Sequence, residues 1–488
     1  MRKFLFPVVG FAVALTGCAS LQQQPLQSAA AALDIAKIKS IEFSGTGRWF
    51  QFGQAPNPSS PWPQFDVSRY TADINYEIPS ARVQIIRKQT IEAGRLRPAP
   101  VEQKPDQYVN GLYAWNLAPP ANAPHGVPVA TAQPAAVEER AAEIWATPQG
   151  FLKAAVANQA TSQATNEGTE VAFTVGGKYH YVGTINGKNQ VERVQTWIDN
   201  PILGDTLVET RFSSYQDFGG VQFPSHIERS QGGYPVLDLH VADVKLNPTV
   251  ALSVPSAVKN FKAPPVKVSL LADGVFYLTG GTHHSVAIEQ QDHVVVVEAP
   301  LNEERSLAVI AKIKDIIPNK PIKYLVNTHA HFDHSGGLRT YVDQGATIVT
   351  AQQNQPYYAQ AWAGARTINP DRLARSSKAA NFETFLDKQV LSDGKRSIEI
   401  HAIAGNGHND AFALVYLPAE KILIEADAYT PTAANVPPPA SVNPYTVNLY
   451  ENIQKLGLDV DKIAGLHGPR VVTLADLRAA IGLTSVSR

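Results

Sequence analysis

The feature that most constrains this chain is a cluster of polar side chains directly after an apolar segment. Residues 322–326 read Ile-Lys-Tyr-Leu-Val, which is typical of a buried strand, and residues 327–337 continue Asn-Thr-His-Ala-His-Phe-Asp-His-Ser-Gly-Gly. Three histidines and one aspartate fall close together in a chain that has 13 histidines among 488 residues. Because imidazole and carboxylate groups are common zinc ligands, the segment predicts a metal site at the C-terminal end of a strand.

The spacing His-x-His-x-Asp-His, followed by two glycines, resembles the signature of the metallo-β-lactamase superfamily. The resemblance implies two zinc ions, one held by three histidines and the other by an aspartate and two histidines, with one further carboxylate bridging them. The resemblance assigns the first ion to His329, His331 and His408. It assigns the second ion to Asp333, His334 and His467, and the bridging role to Asp427. The last three ligands in the chain are His408, in a Gly-Asn-Gly-His loop, and Asp427 and His467, which each follow an apolar strand-like segment.

The order of strand-like and helix-like segments predicts an α/β chain with two main domains. Strands and helices alternate over 266–488, and the resemblance implies that this catalytic domain is an αββα sandwich. Over 38–255, alternating apolar and polar residues between glycine turns predict an antiparallel, β-rich accessory domain. That region resembles the open half-barrels of bacterial lipoprotein carriers, and the alternative is a domain that only spaces or covers the enzyme.

The N-terminus has the pattern of a bacterial lipoprotein signal peptide over residues 1–17. A positively charged start precedes an apolar core that is too short to span a bilayer, and the segment ends in Leu-Thr-Gly before Cys18, the only cysteine. This ending resembles a lipobox, which implies lipidation of Cys18, and residues 18–37 are expected to be a tether. We therefore expect an exported protein anchored on the periplasmic side of a membrane, with Ala19 favouring the outer membrane.

The balance of charge limits the partners that can be expected. Lys and Arg number 42 and Asp and Glu number 43, so no basic surplus favours a nucleic-acid partner. A small-molecule substrate is expected instead, with the membrane contacted through the lipid anchor. The sequence leaves the oligomeric state open.

The resemblance implies hydrolysis by a hydroxide that two Zn²⁺ ions activate, with Asp333 as the catalytic residue that orients it. An ester, thioester, lactone or phosphodiester is the expected substrate. A bridging aspartate such as Asp427 resembles the metal site of glyoxalase II and the lactonases, whereas most β-lactamases lack it. Two alternatives stay open. One is a periplasmic β-lactamase, and the other is a lipid or lipoprotein carrier whose metal domain is not catalytic.

Three further residues are candidates for supporting roles. Glu298 ends an apolar strand where the family usually has aspartate, and it is expected to hold a metal ligand in place. His284 follows a Gly-Gly pair in a loop that could face the substrate, with a structural histidine as the alternative. Tyr429, two residues after Asp427, is a candidate proton donor, with a packing role as its alternative.

Overall fold

The computed structural model describes residues 16–120, 126–434, 436 and 441–483. Most of the predicted signal peptide and the side chain of Cys18 therefore lie outside the described residues. Within the described ranges the strands form three sheets, one from residues 40–246 and two from residues 267–473. The fold is mixed α/β, as predicted, with an antiparallel N-terminal domain before the C-terminal sandwich.

The N-terminal sheet contains fourteen of the strands that the structure describes, and all its pairings are antiparallel. In chain order they are β1 (Ser40–Phe50), β2 (Gln64–Asn75), β3 (Ser80–Gln89), β4 (Glu102–Gln103), β5 (Asp106–Asn110), β6 (Tyr113–Ala118), β7 (Val129–Ala132), β8 (Thr161–Thr165), β9 (Gly168–Val175), β10 (Tyr179–Ile185), β11 (Val191–Asn200), β12 (Gly204–Asp217), β13 (Gln222–Gln231) and β14 (Tyr234–Leu246). Their order across the sheet is β7-β6-β5-β3-β2-β1-β14-β13-β12-β11-β10-β9-β8, with β4 paired to β3.

The segment predicted to be a tether, residues 18–37, is instead part of this domain, and that prediction is wrong. Helix α1 (Thr16–Ala32) covers most of it. Leu26, Ala29, Ala30 and Leu33 are all buried in the core of the domain. Their spacing is that of one apolar helix face, a signal that the Gln- and Ala-rich composition of the segment concealed.

Two more helices follow β7 after a short 3-10 turn over Pro134–Ala136, namely α2 (Val137–Trp145) and α3 (Pro148–Ala157). Phe151 and Leu152 of α3 are fully buried in the same core as the side chains of α1. The chain's own helices therefore fill the face of the sheet that the carrier alternative would leave for a lipid. A fourth helix, α4 (Ser256–Lys259), lies in the connection to the second domain.

The C-terminal domain has two sheets of similar plan, each with antiparallel strands followed by a parallel pairing. The first contains β15 (Lys267–Ala272), β16 (Val275–Thr279), β17 (Ser285–Glu289), β18 (Val294–Val297), β19 (Ile322–Val326), β20 (Thr347–Ala351) and β21 (Phe382–Phe385) in that order. The second contains β22 (Lys388–Ser392), β23 (Ser397–Ala402), β24 (Ala413–Leu417), β25 (Ile422–Glu425), β26 (Lys462–Gly465) and β27 (Val472–Thr473). Parallel pairs join β18 through β21 and β25 to β26.

Helices connect these strands and cover the sheets. They are α5 (Glu303–Ile316), α6 (Phe332–Ser335), α7 (Leu338–Asp343), α8 (Asn354–Trp362), α9 (Arg372–Ser376), α10 (Pro444–Lys455) and α11 (Leu474–Ala480). The side chain of Asn302 caps α5 by accepting a hydrogen bond from the backbone of Arg305, and Asn443 caps α10 in a similar way. None of the helices within the described ranges is long and apolar enough to cross a membrane.

Alternation along the central strands shows that the first sheet is covered on both faces. Val286 and Ile288 of β17 pack into the core shared with the second sheet, whereas Ala287 between them packs into the core beneath α5 and α7. Neighbouring residues of a strand point to opposite faces, so two cores flank this sheet. The result is a layered αββα arrangement with the carboxyl ends of β19, β25 and β26 available for a site.

Candidate metal centre

The predicted metal ligands lie in loops that follow strands of both C-terminal sheets. His329, His331, Asp333 and His334 come after β19, either before or within the short helix α6. The other three are in the second sheet's loops, with His408 between β23 and β24, Asp427 after β25 and His467 after β26. Buried strands thus fix the points from which the side chains project, as is usual for sites in α/β folds.

One group of donor atoms consists of three histidines and an aspartate. Nitrogen atoms of His329, His331 and His408 and a carboxylate oxygen of Asp427 all lie within 4.8 Å of one another. The Nε2 atoms of His329 and His408 are 3.3 Å apart, and Asp427 Oδ2 lies 3.1 Å from His408 Nε2. The three histidines are those predicted to hold the first ion.

A second group shares Asp427 with the first. Asp333, His334 and Asp427 each offer a donor atom within 4.8 Å of the others. His334 Nε2 is 3.1 Å from Asp427 Oδ2 and 3.8 Å from Asp333 Oδ2, while His467 Nδ1 is 3.1 Å from Asp427 Oδ1. The fold therefore brings all seven predicted ligands together, with Asp427 between the two groups, as expected of a bridging carboxylate.

Two buried ring nitrogens in this centre lack hydrogen-bond partners among the residues that the structure describes, namely His331 Nδ1 and His334 Nε2. In each ring the other nitrogen is engaged, because His331 Nε2 lies 3.0 Å from the carbonyl of Ala55 and His334 Nδ1 lies 3.1 Å from Glu298 Oε2. In the neutral form of each ring, donation from the engaged nitrogen leaves a lone pair on the other, which is the tautomer that a metal requires. Buried nitrogens without partners, together with carboxylate oxygens, suit zinc.

Burial governs the protonation of the first group of histidines. It lowers the pKa of His329 well below its ordinary value, and the neighbouring imidazoles lower it further. Burial likewise lowers the pKa of His331 to about 3. These rings are therefore neutral near neutral pH, and a neutral imidazole is the form that binds a metal.

The carboxylates in the second group stay ionised although burial opposes it. Burial alone would raise the pKa of Asp427, but His334 and the other histidines hold it well below its usual range. The pKa of Asp333 is lowered in the same way. Burial also disfavours the cation of His334, yet the two carboxylates raise the pKa of that ring well above its ordinary value. The second group thus attracts positive charge, with His334 fully buried and Asp333 partly exposed.

Glu298 contacts the loop that carries the predicted ligands His329, His331, Asp333 and His334. Its carboxylate is fully buried and accepts hydrogen bonds from Thr328 Oγ1 and from Asn327 Nδ2, in addition to its contact with His334. Its backbone φ of +75° is a left-handed conformation that is rare for glutamate. The longer side chain thus reaches the loop at residues 327–334 from the end of β18, where the family usually has aspartate.

His283 belongs to this centre, although the sequence favoured its neighbour. Nitrogen atoms of His283, His334 and His467 lie within 4.8 Å of one another. His283 Nε2 is also 3.2 Å from Asp333 Oδ2. Both histidines directly precede β17, and their consecutive side chains have different partners, Asp333 for His283 and the carbonyl of Gly468 for His284.

The other two candidates do not face a substrate. The buried ring of His284 lies 2.6 Å, through Nε2, from the carbonyl of Gly468, so it supports the loop of His467, as the structural alternative expects. Tyr429 is 7% exposed and packs in the core between the two sheets. Its backbone donates a hydrogen bond to the buried Glu425. The packing alternative therefore describes Tyr429 better than proton donation does.

Comparison with known proteins adds a match over the same region. Residues 278–432 match the family model described as metallo-beta-lactamase superfamily. The C-terminal domain belongs to this superfamily. Superfamily members are typically metal-dependent hydrolases, and the matched range contains six of the seven predicted ligands, all but His467. No sequence among curated proteins matches this chain.

Solved structures resemble parts of the chain. One is a metallo-beta-lactamase from Pontibacter korlensis, with 19% identity and a TM-score of 0.34, covering 45% of this chain and 98% of that one. Another is a metallo-beta-lactamase from Pseudomonas aeruginosa in a mono-zinc form, with 19% identity, a TM-score of 0.34, and 46% and 96% coverage. Rubredoxin oxygen:oxidoreductase from Desulfovibrio gigas has 16% identity, a TM-score of 0.36, and 44% and 60% coverage.

Proposed function

We propose that the superfamily domain of this chain is a dinuclear zinc hydrolase whose substrate is an ester, thioester, lactone or phosphodiester. The observation that carries the proposal is the convergence of seven donor side chains into two groups that share Asp427. A structural zinc site is usually closed by four ligands and is often rich in cysteine. Two adjoining sets of histidine and carboxylate donors are instead suited to a catalytic pair of ions.

The proposed roles of these residues are to bind the two ions and to position the attacking water. His329, His331 and His408 would hold one ion, and Asp333, His334 and His467 would hold the other. Zinc, when bound, is a Lewis acid that polarises a substrate oxygen and lowers the pKa of water toward neutrality. Asp333 is the residue that we expect to orient the attacking water, because its carboxylate is ionised and remains partly exposed.

Exposure indicates the side from which a substrate reaches the centre. The side chains of His329 and His334 are fully buried, whereas those of Asp333 and His467 are 29% and 37% exposed. The second group therefore borders solvent, and the first lies behind it. A substrate that enters from this side meets Asp333 and His467 before it meets the buried rings of His329 and His331.

The proposal is tested by metal analysis and a substrate panel on the purified chain. We expect about two zinc ions per chain in the wild type, and loss of zinc together with activity in His331→Ala. His180→Ala is the matched control, because it removes an exposed histidine of the N-terminal sheet that is in none of the groups of converging donor atoms. The panel contains an ester, a thioester, a lactone, a phosphodiester and a β-lactam. Absence of zinc from the wild type after zinc is supplied would contradict the proposal, and turnover of the β-lactam alone would favour the β-lactamase alternative.

We also propose that Cys18 carries a lipid and anchors the protein on the periplasmic side of a membrane, on the strength of the lipobox-like sequence. Leu26 of α1 is already part of the domain core, so few residues separate it from the lipid. If α1 extends unbroken to Cys18, these eight steps span about 12 Å. The domain would then sit against the membrane surface without a long tether.

The anchor is tested by mass spectrometry of the N-terminal peptide from cells that express the full chain. We expect an acylated peptide that begins at Cys18, and membrane-fraction protein that becomes soluble after Cys18→Ser. An unmodified cysteine would contradict this proposal and would leave the proposed hydrolase unaffected.

A further inference from the structure

We propose that the loop over residues 51–63, which joins β1 to β2, completes the metal centre, and that Gln54 is a positioning residue for Asp333. The proposal rests on the proposed zinc site and extends that site to the N-terminal domain. This loop lies outside the range that matches the superfamily, so no comparison assigns it a role. Its contacts with the metal-binding loops are direct and polar.

The central contact is the hydrogen bond from Gln54 Nε2 to Asp333 Oδ1, at 2.7 Å. It engages one carboxylate oxygen and leaves the other, Oδ2, on the side of His283 and His334, at 3.2 and 3.8 Å. A carboxylate that is free to rotate would exchange these two oxygens. Gln54 therefore fixes which oxygen of Asp333 faces the second ion and the attacking water.

The next residue of the loop acts on the first group of ligands. The carbonyl of Ala55 accepts a hydrogen bond from His331 Nε2 at 3.0 Å, which leaves His331 Nδ1 free for the metal. The same carbonyl accepts a bond from Asn409 Nδ2, beside His408, at 3.4 Å. The carbonyl oxygen of Ala55 thus sets the tautomer of His331 and contacts the loop that carries His408.

Close packing holds the loop in this position. The carbonyl of Gly53 accepts a hydrogen bond from the backbone of Phe332 at 3.1 Å, and the aromatic rings of Phe52 and Trp62 lie edge-on to Phe332. Gly53 has a φ of +79°, and a Cβ atom at this position would come within 2.7 Å of the Phe332 ring. The approach requires glycine, which places the next two residues within reach of the ligands.

The next two residues of the loop contact the segment between β23 and β24 that carries His408. The carbonyl of Pro56 accepts a hydrogen bond from the backbone of Asp410 at 2.7 Å, and Asn57 Nδ2 donates to the carboxylate of Asp410 at 2.7 Å. Arg95, from the loop between β3 and β4, donates to both oxygens of the same carboxylate at 2.8 and 2.9 Å. The N-terminal domain therefore contacts two of the loops that carry predicted ligands, the one with His331 and Asp333 and the one with His408.

The test compares zinc binding by Gln54→Ala, Gln54→Met and the wild type. Methionine keeps the approximate length of glutamine but has no N–H group, so it separates the hydrogen bond from packing. Gln51→Ala is the matched control, because no side-chain hydrogen bond of Gln51 is found within the described residues. Each ion's affinity is measured by competition with a chelator, and the cobalt-substituted spectrum reports the geometry of the second site.

We expect both Gln54 variants to bind the second ion roughly tenfold more weakly or worse, with the first ion and the unfolding temperature of the metal-free chain little changed. Gln51→Ala should bind both ions as the wild type does. If Gln54→Met binds zinc as the wild type does, the hydrogen bond has no positioning role and the proposal is overturned. If the wild type binds two ions and all variants match it, this proposal fails alone. A wild type without zinc would overturn both this proposal and the proposed function.

Discussion

His283 and His467 lie side by side in an isolated antiparallel backbone bridge, with ring centroids 4.2 Å apart and the rings nearly stacked. His467 is a predicted ligand of the second ion, and His283 is one of the three histidines whose donor atoms converge beside it. The bridge joins the segment just before β17 to the segment just after β26, so it links the two sheets of the sandwich beside the predicted ligands. His283 can therefore act either as a further ligand or as the support that aims His467 and Asp333.

Replacing His283 tests its part in the second site. We expect His283→Ala to weaken binding of the second ion by about tenfold, since removal of a group that supports a ligand typically costs this much. The first ion should be held as before, because its three histidines do not contact this ring. Stepwise zinc titration measures both affinities, with His180→Ala as the control. Equal loss at both sites would indicate general disruption of the domain instead.

Glu298 offers a test of how the ligand loop is held. Glu298→Ala would leave the buried polar groups of Thr328, Asn327 and His334 without their acceptor, so we expect the free energy of unfolding to fall by about 2–4 kcal/mol. Glu298→Asp keeps the charge but shortens the side chain, and it should recover only part of that loss. Denaturant unfolding of the metal-free chain gives the stabilities. If the aspartate variant equals the wild type, the length of the side chain is unimportant.

The two glycines after His334 are required by close packing. A Cβ atom on Gly336 would lie 1.8 Å from the carbonyl oxygen of Leu301, although the backbone of Gly336 has an ordinary helical φ of −62°. We expect Gly336→Ala to displace α6 and to lower both stability and zinc affinity. Gly187→Ala is the control, because nothing lies within 4 Å of its Cβ position in the described structure. Wild-type zinc binding by Gly336→Ala would contradict this account.

Most of the residues that converge on this centre could be identified from the sequence because they stand close to recognisable strands. His329, Asp427 and His467 all follow short apolar segments, and the carboxyl ends of such strands converge in an α/β sandwich whatever the rest of the chain does. Glu298 could be singled out from the sequence for the same reason, because it directly follows the apolar strand β18. In these places local pattern and overall fold agree, so the order of motifs along the chain was sufficient.

The support from the N-terminal domain could not be predicted in this way. Gln54 and Asp333 are separated by 279 residues, and nothing in the local sequence of either indicates the other. The choice between His283 and His284 depended on the partners of the two side chains just before β17, which the local sequence does not indicate. The tether predicted over residues 18–37 is a different case. The apolar helix spacing of Leu26, Ala29 and Leu33 is visible in the sequence, but the Gln- and Ala-rich composition of the segment conceals it.

Zinc should stabilise the folded chain, because the donor atoms converge only when the two sheets and the N-terminal loop are assembled. An ion that binds the folded state alone adds about 2.7 kcal/mol at a free concentration one hundred times its dissociation constant. For a domain of this size we expect the unfolding temperature to rise by about 5–10 °C when zinc is added, and to fall again with a chelator. In His331→Ala the rise should be largely lost, since this change removes a predicted ligand of the first ion, whereas His180→Ala should keep it. Calorimetric scans with zinc and with chelator measure the shift, and equal midpoints for the wild type in both conditions would show that the seven side chains do not hold a metal.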